Sequence, residues 1–146
     1  MMKIVQEVAK ERGFLTEMEP RIRDAAGELH IPDMIMKKDD TAIVVDANVP
    51  WESDHLSLAA QNKKAKYNKP LIEAAIKEKM GVIEVRHMPI IVGARGIWSE
   101  KANRESEATL RFTAKVKKRI VTDVIQRGVS IHRYFMRANV RNSFRP

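Results

Sequence analysis

Cysteine is missing from the 146-residue sequence. Its absence removes disulfides, thiolate zinc centres and cysteine nucleophiles from consideration, and it fits a reducing compartment. No apolar run approaches the ~20 residues that a membrane-spanning helix requires. The opening MMKIVQEVAKERG is too charged for the apolar stretch of a secretory signal. Aromatic residues make up 5% of the chain, too few for a platform on which single-stranded bases stack. His30, His55, His87 and His132 are widely separated and have no cysteine partners, so no zinc site is expected. GxSxG, kinase and deaminase signatures are absent, as are internal repeats and low-complexity segments.

What the chain does have is positive charge. Lys and Arg number 27 against 19 Asp and Glu, a formal net charge of +8. Such an excess suits a polyanionic partner, nucleic acid first, or belongs to a merely basic soluble protein. Length and ordinary apolar content (44%) fit one domain with a single core.

Taken in order, residues 3–12 place Ile4, Val5 and Val8 at helical spacing before Gly13, a short amphipathic helix. Phe14 to Arg23, interrupted by Pro20, suits an edge strand, and Asp24 to Glu28 reads as a turn. Ile31 to Met36 and Thr41 to Val49 are strand-like and meet at Asp39 and Asp40. A two-residue hairpin loop there pairs residues whose numbers sum to 79, setting Asp33 opposite Asp46 with Cβ atoms about 4.5–5.5 Å apart. Parity puts Asp33, Ile35, Val44, Asp46 and Asn48 on one face, and Met34, Met36, Ile43, Val45 and Ala47 on the other. Both faces are apolar apart from the aspartates, so the hairpin should be covered on both sides. Two facing carboxylates under such cover call for a compensating cation, unless they reach solvent at the sheet's end or Asp33 caps a turn after Pro32.

Ser53 and Asp54 open a helix in which Leu56, Ala60, Lys63 and Tyr67 share one face. Lys63 therefore lies in the inward stripe, where it either snorkels out or brings an ammonium to the carboxylates. Pro70 begins a second helix closed by Gly81, and Val82 to Val92 forms a further strand in which Pro89 marks a bulge or a partly exposed position. Gly93-Ala94-Arg95-Gly96 is either a phosphate-cradling loop or a plain strand-to-helix turn. Ser99 and Glu100 open a long helix to about Gln126, ended by Gly128. Its core stripe is Phe112, Val116, Ile120 and Val124, and its basic side is Arg111, Lys115, Lys118 and Arg119. The tail from Val129 carries Arg133, Arg137, Arg141 and Arg145 at i+4 steps, suited to a phosphate backbone or to a solvated face.

Ile31-Pro32-Asp33, thirteen residues to Asp46 in VVDANVPWE, and seventeen more to Lys63 in QNKKAKY form a combination with Tyr67. It resembles the restriction-like endonuclease domain of site-specific non-LTR retrotransposons, a divergent branch of the PD-(D/E)xK superfamily. EPRIRDAAGELHIPD and PIIVGARGIW resemble that domain too, across most of the chain. Asn48 stands where a standard DxK motif has lysine, a departure that this branch resolves by moving the lysine to the helix.

The resemblance implies an α/β (α+β) fold, a central mixed sheet of about four strands flanked by helices, over 1–128, with a basic helical part at 129–146. It implies a nuclease that nicks double-stranded DNA with Mg2+, which Mn2+ should replace, so that the 3′ hydroxyl primes reverse transcription. Asp33 and Asp46 carry over as metal ligands, with Glu52 as a further acid, Lys63 as the active-site lysine and Tyr67 as its support. Lys64, Lys66, Arg95, Lys115, Lys118, Arg119, Arg133, Arg137 and Arg141 are the expected DNA contacts. Element RNA and an upstream reverse transcriptase are the further partners, in the nucleus. A non-catalytic nucleic-acid-binding scaffold that keeps the fold is the competing reading.

Overall fold

The computed structural model describes residues 1–51 and 56–143. Helix α1 (Met2–Glu11) leads into strand β1 (Leu15–Met18), a short ribbon of β2 (Ile22–Arg23) and β3 (Leu29–His30), and the hairpin of β4 (Met34–Lys38) and β5 (Thr41–Asn48). Helices α2 (Leu56–Tyr67) and α3 (Pro70–Met80) then precede β6 (Glu84–Ile91), and α4 (Arg104–Leu110) and α5 (Ala114–Ser143) complete the described chain. Four strands form a mixed sheet in the order β1-β4-β5-β6, antiparallel except for the parallel pair β5 and β6. This is the helix-flanked mixed sheet expected from the sequence.

The hairpin sets the register of everything near the site. Lys38 pairs with Thr41 and Met34 with Val45, so the ladder follows the expected sum. Asp39 enters the turn at φ 52°, a left-handed conformation that aspartate tolerates better than most residues. Alternation then divides the core. Met34, Met36, Ile43 and Val45 pack with Val5 and Val8 of α1 and Ile120 and Val124 of α5. Ile35, Ala42 and Val44 face the other way, onto Tyr67, Ile72 and Ile76. A slip of one residue would exchange these two sets.

Several expectations are corrected. Strand β4 starts at Met34 rather than Ile31, because the Ile31 carbonyl is taken by the Tyr67 hydroxyl and the Asp33 carbonyl by the Glu19 amide. Pro89 is buried in an unbroken register opposite Asp46, without a bulge. It sits on the outermost strand, where alternate backbone N–H groups point away from the sheet and a missing one costs no ladder bond. The single helix expected from Ser99 to Gln126 is two. Leu110 and Phe112 are both buried but lie two residues apart, a spacing no single helical face can bury. Arg111 takes φ 50° between them and turns both inward. Gly128 does not end α5, which continues to Ser143. Its core stripe, Val116, Ile120 and Val124, is as expected. The expected helix start at Ser53 and Asp54, and the candidate acid Glu52, lie outside the described residues.

Candidate active site

The strand pair delivers the two aspartates to the end of the sheet. Asp33 lies one residue before β4, where the register continued by a step meets Asp46. Its Oδ2 accepts the Ala47 N–H at 2.7 Å, so the carboxylate extends the ladder of β5 beyond the last residue of β4. On its other side the Glu19 N–H, from a residue held at φ 47°, donates to the Asp33 carbonyl at 2.9 Å. Asp46 is buried, 5% exposed. That burial, and then the negative charge of Asp33, push its pKa above the ordinary 3.8, while Lys63 pulls it down.

Lys63 comes from the inward face of α2, between buried Ala60 and buried Tyr67, as helical spacing requires. Its Nζ stands 2.8 Å from Asp46 Oδ2. The approach is outside hydrogen-bonding angles, and among the described residues Oδ2 has no hydrogen-bond partner. That oxygen is ion-paired to Lys63, and together with the second carboxylate it makes a hard donor set suited to a divalent cation. Asp33 and Asp46 thus fit a metal. Lys66 Nζ lies further off, 4.0 Å from the same oxygen and 4.6 Å from the centre of the Tyr67 ring. Tyr67 beside it, and the charges of Asp46 and Asp33, raise the Lys66 pKa against partial burial that lowers it. Tyr67 is 2% exposed, and its hydroxyl donates to the Ile31 carbonyl at 3.2 Å, tying α2 to the segment that carries Asp33.

The expected DNA contacts divide. Lys64 is paired with Glu105 at 2.6 Å and Arg119 with Glu7 at 2.9 Å. Arg95 is exposed above the Trp51 ring. Lys115, Lys118, Arg133 and Arg137 are exposed along α5, and Arg141 belongs to that helix with its side chain undescribed. The Gly93–Gly96 loop is not a phosphate cradle. Gly93 donates to Ile97 and Gly96 to Gly93 within the turn, and Ala94 to Pro50 beyond it, so those amides are spent on backbone carbonyls.

Sequence reasoning missed the groove on the α5 side. A cavity of about 670 Å³ runs from Asp33 and Ala47 to Arg127 and Ile131, with Glu19 and Lys3 on its walls. Residue 127 is too remote from residue 33 for any local pattern to join them. A second acidic group, Asp24, Glu28 and His30, places its ligand atoms within 4.8 Å of one another. The Asp24 oxygens are already engaged by the Ala26 and Glu28 amides and by His30, which closes the β2–β3 turn.

No family model matches the chain. It is 32% identical over 150 residues to a retrovirus-related Pol polyprotein from type-1 retrotransposable element R2 of Popillia japonica, a match covering 99% of the chain and 33% of that protein. A polyprotein of the same description from Bradysia coprophila is 30% identical over 131 residues, covering 86% of the chain and 14% of itself. Among solved structures, the chain overlaps a protein of unknown function (TM-score 0.40, 11% identity, 84% of this chain and 76% of that one). It also overlaps the small subunit of the heterodimeric restriction endonuclease R.BspD6I (TM-score 0.34, 12% identity, 89% and 86%). Overlaps this loose carry no argument about the site. The R2 Pol polyproteins are therefore homologues of this chain, matched along nearly all of it while it spans a third or less of their own length.

Proposed function

We propose that this chain is a divalent-metal-dependent endonuclease domain. It nicks double-stranded target DNA, in the nucleus, to leave a 3′ hydroxyl that primes reverse transcription by another part of a retrotransposon polyprotein. One observation carries the reading: Asp33 and Asp46 meet at the end of one strand pair, and Lys63 stands 2.8 Å from the Asp46 oxygen that has no hydrogen bond. Mg2+ or Mn2+ held by the two carboxylates supplies Lewis acidity and a water of lowered pKa when bound. The remaining work belongs to the side chains. Lys63 gives a positive contact that orients and partly neutralises the phosphate. Tyr67 holds α2 against the Asp33 segment, so that lysine and carboxylate keep their spacing. The exposed basic side of α5 supports backbone contacts to DNA or element RNA.

A second reading, a scaffold that binds nucleic acid without cutting it, is favoured by the same Lys63–Asp46 pair, in which each charge already neutralises the other. The two separate in one experiment. Supercoiled plasmid is incubated with the protein and Mg2+ or Mn2+, beside Asp33→Ala, Asp46→Ala and Lys63→Ala. Nicking by the wild type alone supports the nuclease. Plasmid binding that persists with no nicking above the variants supports the scaffold.

A further inference from the structure

We propose that the cup beside Asp46, on the α2 side of the sheet, is a phosphate subsite holding the nucleic-acid phosphate next to the one that is cut. This assignment of the neighbouring phosphate rests on the nuclease reading. The cup is a cavity of about 380 Å³ lined by Asn48, Leu58, Ala59, Asn62, Lys63 and Lys66. Four of the six offer N–H donors, and among the described residues no carboxylate lines it.

The sequence builds it simply. Leu58, Asn62 and Lys66 follow i+4 steps on one ridge of α2, Ala59 and Lys63 form the next ridge, and the small Ala59 leaves the space between them open. Asn48 closes the far wall from the end of β5, two residues past Asp46 and on the same face of the strand. Among the described residues neither asparagine amide takes part in a side-chain hydrogen bond. Lys66 is placed over the Tyr67 ring at 4.0 Å from Asp46, with more than half of its side chain in solvent (54%), so its ammonium is open to a ligand on its solvent side. The Lys66 ammonium and two amides around one small open space, beside the Lys63 ammonium held by Asp46, match a tetrahedral oxyanion, which takes several donors at once. Phosphates follow one another at ~3.4 Å of helix axis per strand, so a site adjoining Asp46 falls to a neighbour of the scissile group.

The test reads binding, without metal and without cleavage. The ¹⁵N-labelled chain in EDTA is titrated with thymidine 5′-monophosphate, thymidine or inorganic phosphate while the Asn48 and Asn62 side-chain amide resonances are followed. The nucleotide should shift both amides saturably and more tightly than inorganic phosphate, and thymidine should shift neither. Lys66→Gln and Asn62→Ala should each weaken binding about tenfold, the scale of one lost charge-assisted hydrogen bond, with Lys10→Gln, exposed on α1 across the sheet, unchanged. Unmoved amides, equal affinity for inorganic phosphate, or full affinity in Lys66→Gln would overturn the proposal. Saturable shifts from a protein that never nicks plasmid would leave the cup standing as a nucleotide-phosphate site and remove the nuclease.

Discussion

Lys63 Nζ lies 2.8 Å from Asp46 Oδ2, and it reaches the aspartate from α2, not from the strand that carries it. The pair therefore ties a helix to the end of the sheet as well as placing a cation. Asp46 is buried and Lys63 keeps about a quarter of its side chain in solvent (25%). Removing the lysine alone leaves a buried charge without its counterion.

Lys63→Gln should accordingly lower stability by about 1–2 kcal/mol, less than the full cost of breaking a buried pair because the lysine is partly solvated. Adding Asp46→Asn to that variant should recover at least half of the loss, since no charge is then left stranded. Urea unfolding of the wild type, both single variants and the double variant measures this directly. Strict additivity would mean that the two side chains do not interact.

A divalent cation on Asp33 and Asp46 binds the folded chain only, so it should raise the melting temperature. At a hundredfold excess over the dissociation constant the gain is ~2.7 kcal/mol. For a chain of this size that is roughly 5–11 °C. Thermal melts with and without Mg2+ should show the rise in the wild type and none in Asp33→Asn or Asp46→Asn. Lys63→Gln, which frees the Asp46 oxygen, should keep or enlarge it. An equal rise in all four proteins would place the ion elsewhere.

Much of this site was legible because short-range rules govern it. The hairpin turn at Asp39 and Asp40 sets the register, parity sets the faces, and helical spacing separates Lys63 from Lys64 and Lys66. Other features depend on tertiary contacts that no local pattern carries. The break at Arg111 exists because Leu110 and Phe112 must both be buried. Asn103 is invisible as a structural residue until its side chain is seen bonding the Ile91 amide and carbonyl at 2.8 and 2.7 Å, acting as one more strand at the end of β6. Ile131 reaches the Asp33 groove only because α5 runs on past Gly128.

Acid stability should depend on Asp24. Its hydrogen bond to His30 first, and then the Glu28 and Ala26 amides, hold its pKa below the ordinary 3.8 in spite of burial. A carboxylate depressed in the folded state contributes stability that is fully present above 3.8 and lost as pH falls through the lowered value. Unfolding measured from pH 5 downward should therefore fall more gently in Asp24→Asn than in the wild type. The variant should also be the less stable of the two at neutral pH. Identical acid limbs would show that the turn network does not discriminate between the charged and neutral forms.

Two glycines beside α5 should respond in opposite directions. Gly96 has φ +83°, and a Cβ there would stand 2.7 Å from Ile125 Cδ1 and 2.9 Å from Val121 Cγ1. Gly96→Ala thus adds backbone strain to a clash with the helix, and should cost about 1–3 kcal/mol. Gly128 lies within α5 with nothing within 4 Å of its added Cβ. Gly128→Ala removes the entropic weakness of glycine inside a helix and should stabilise by roughly 0.5–1 kcal/mol. Because α5 is exposed from Ile125 through Arg137, that gain should appear as greater amide protection from hydrogen exchange over residues 125–137. A Gly128→Ala variant without added protection there would mean that the helix is already fully formed past the body of the protein.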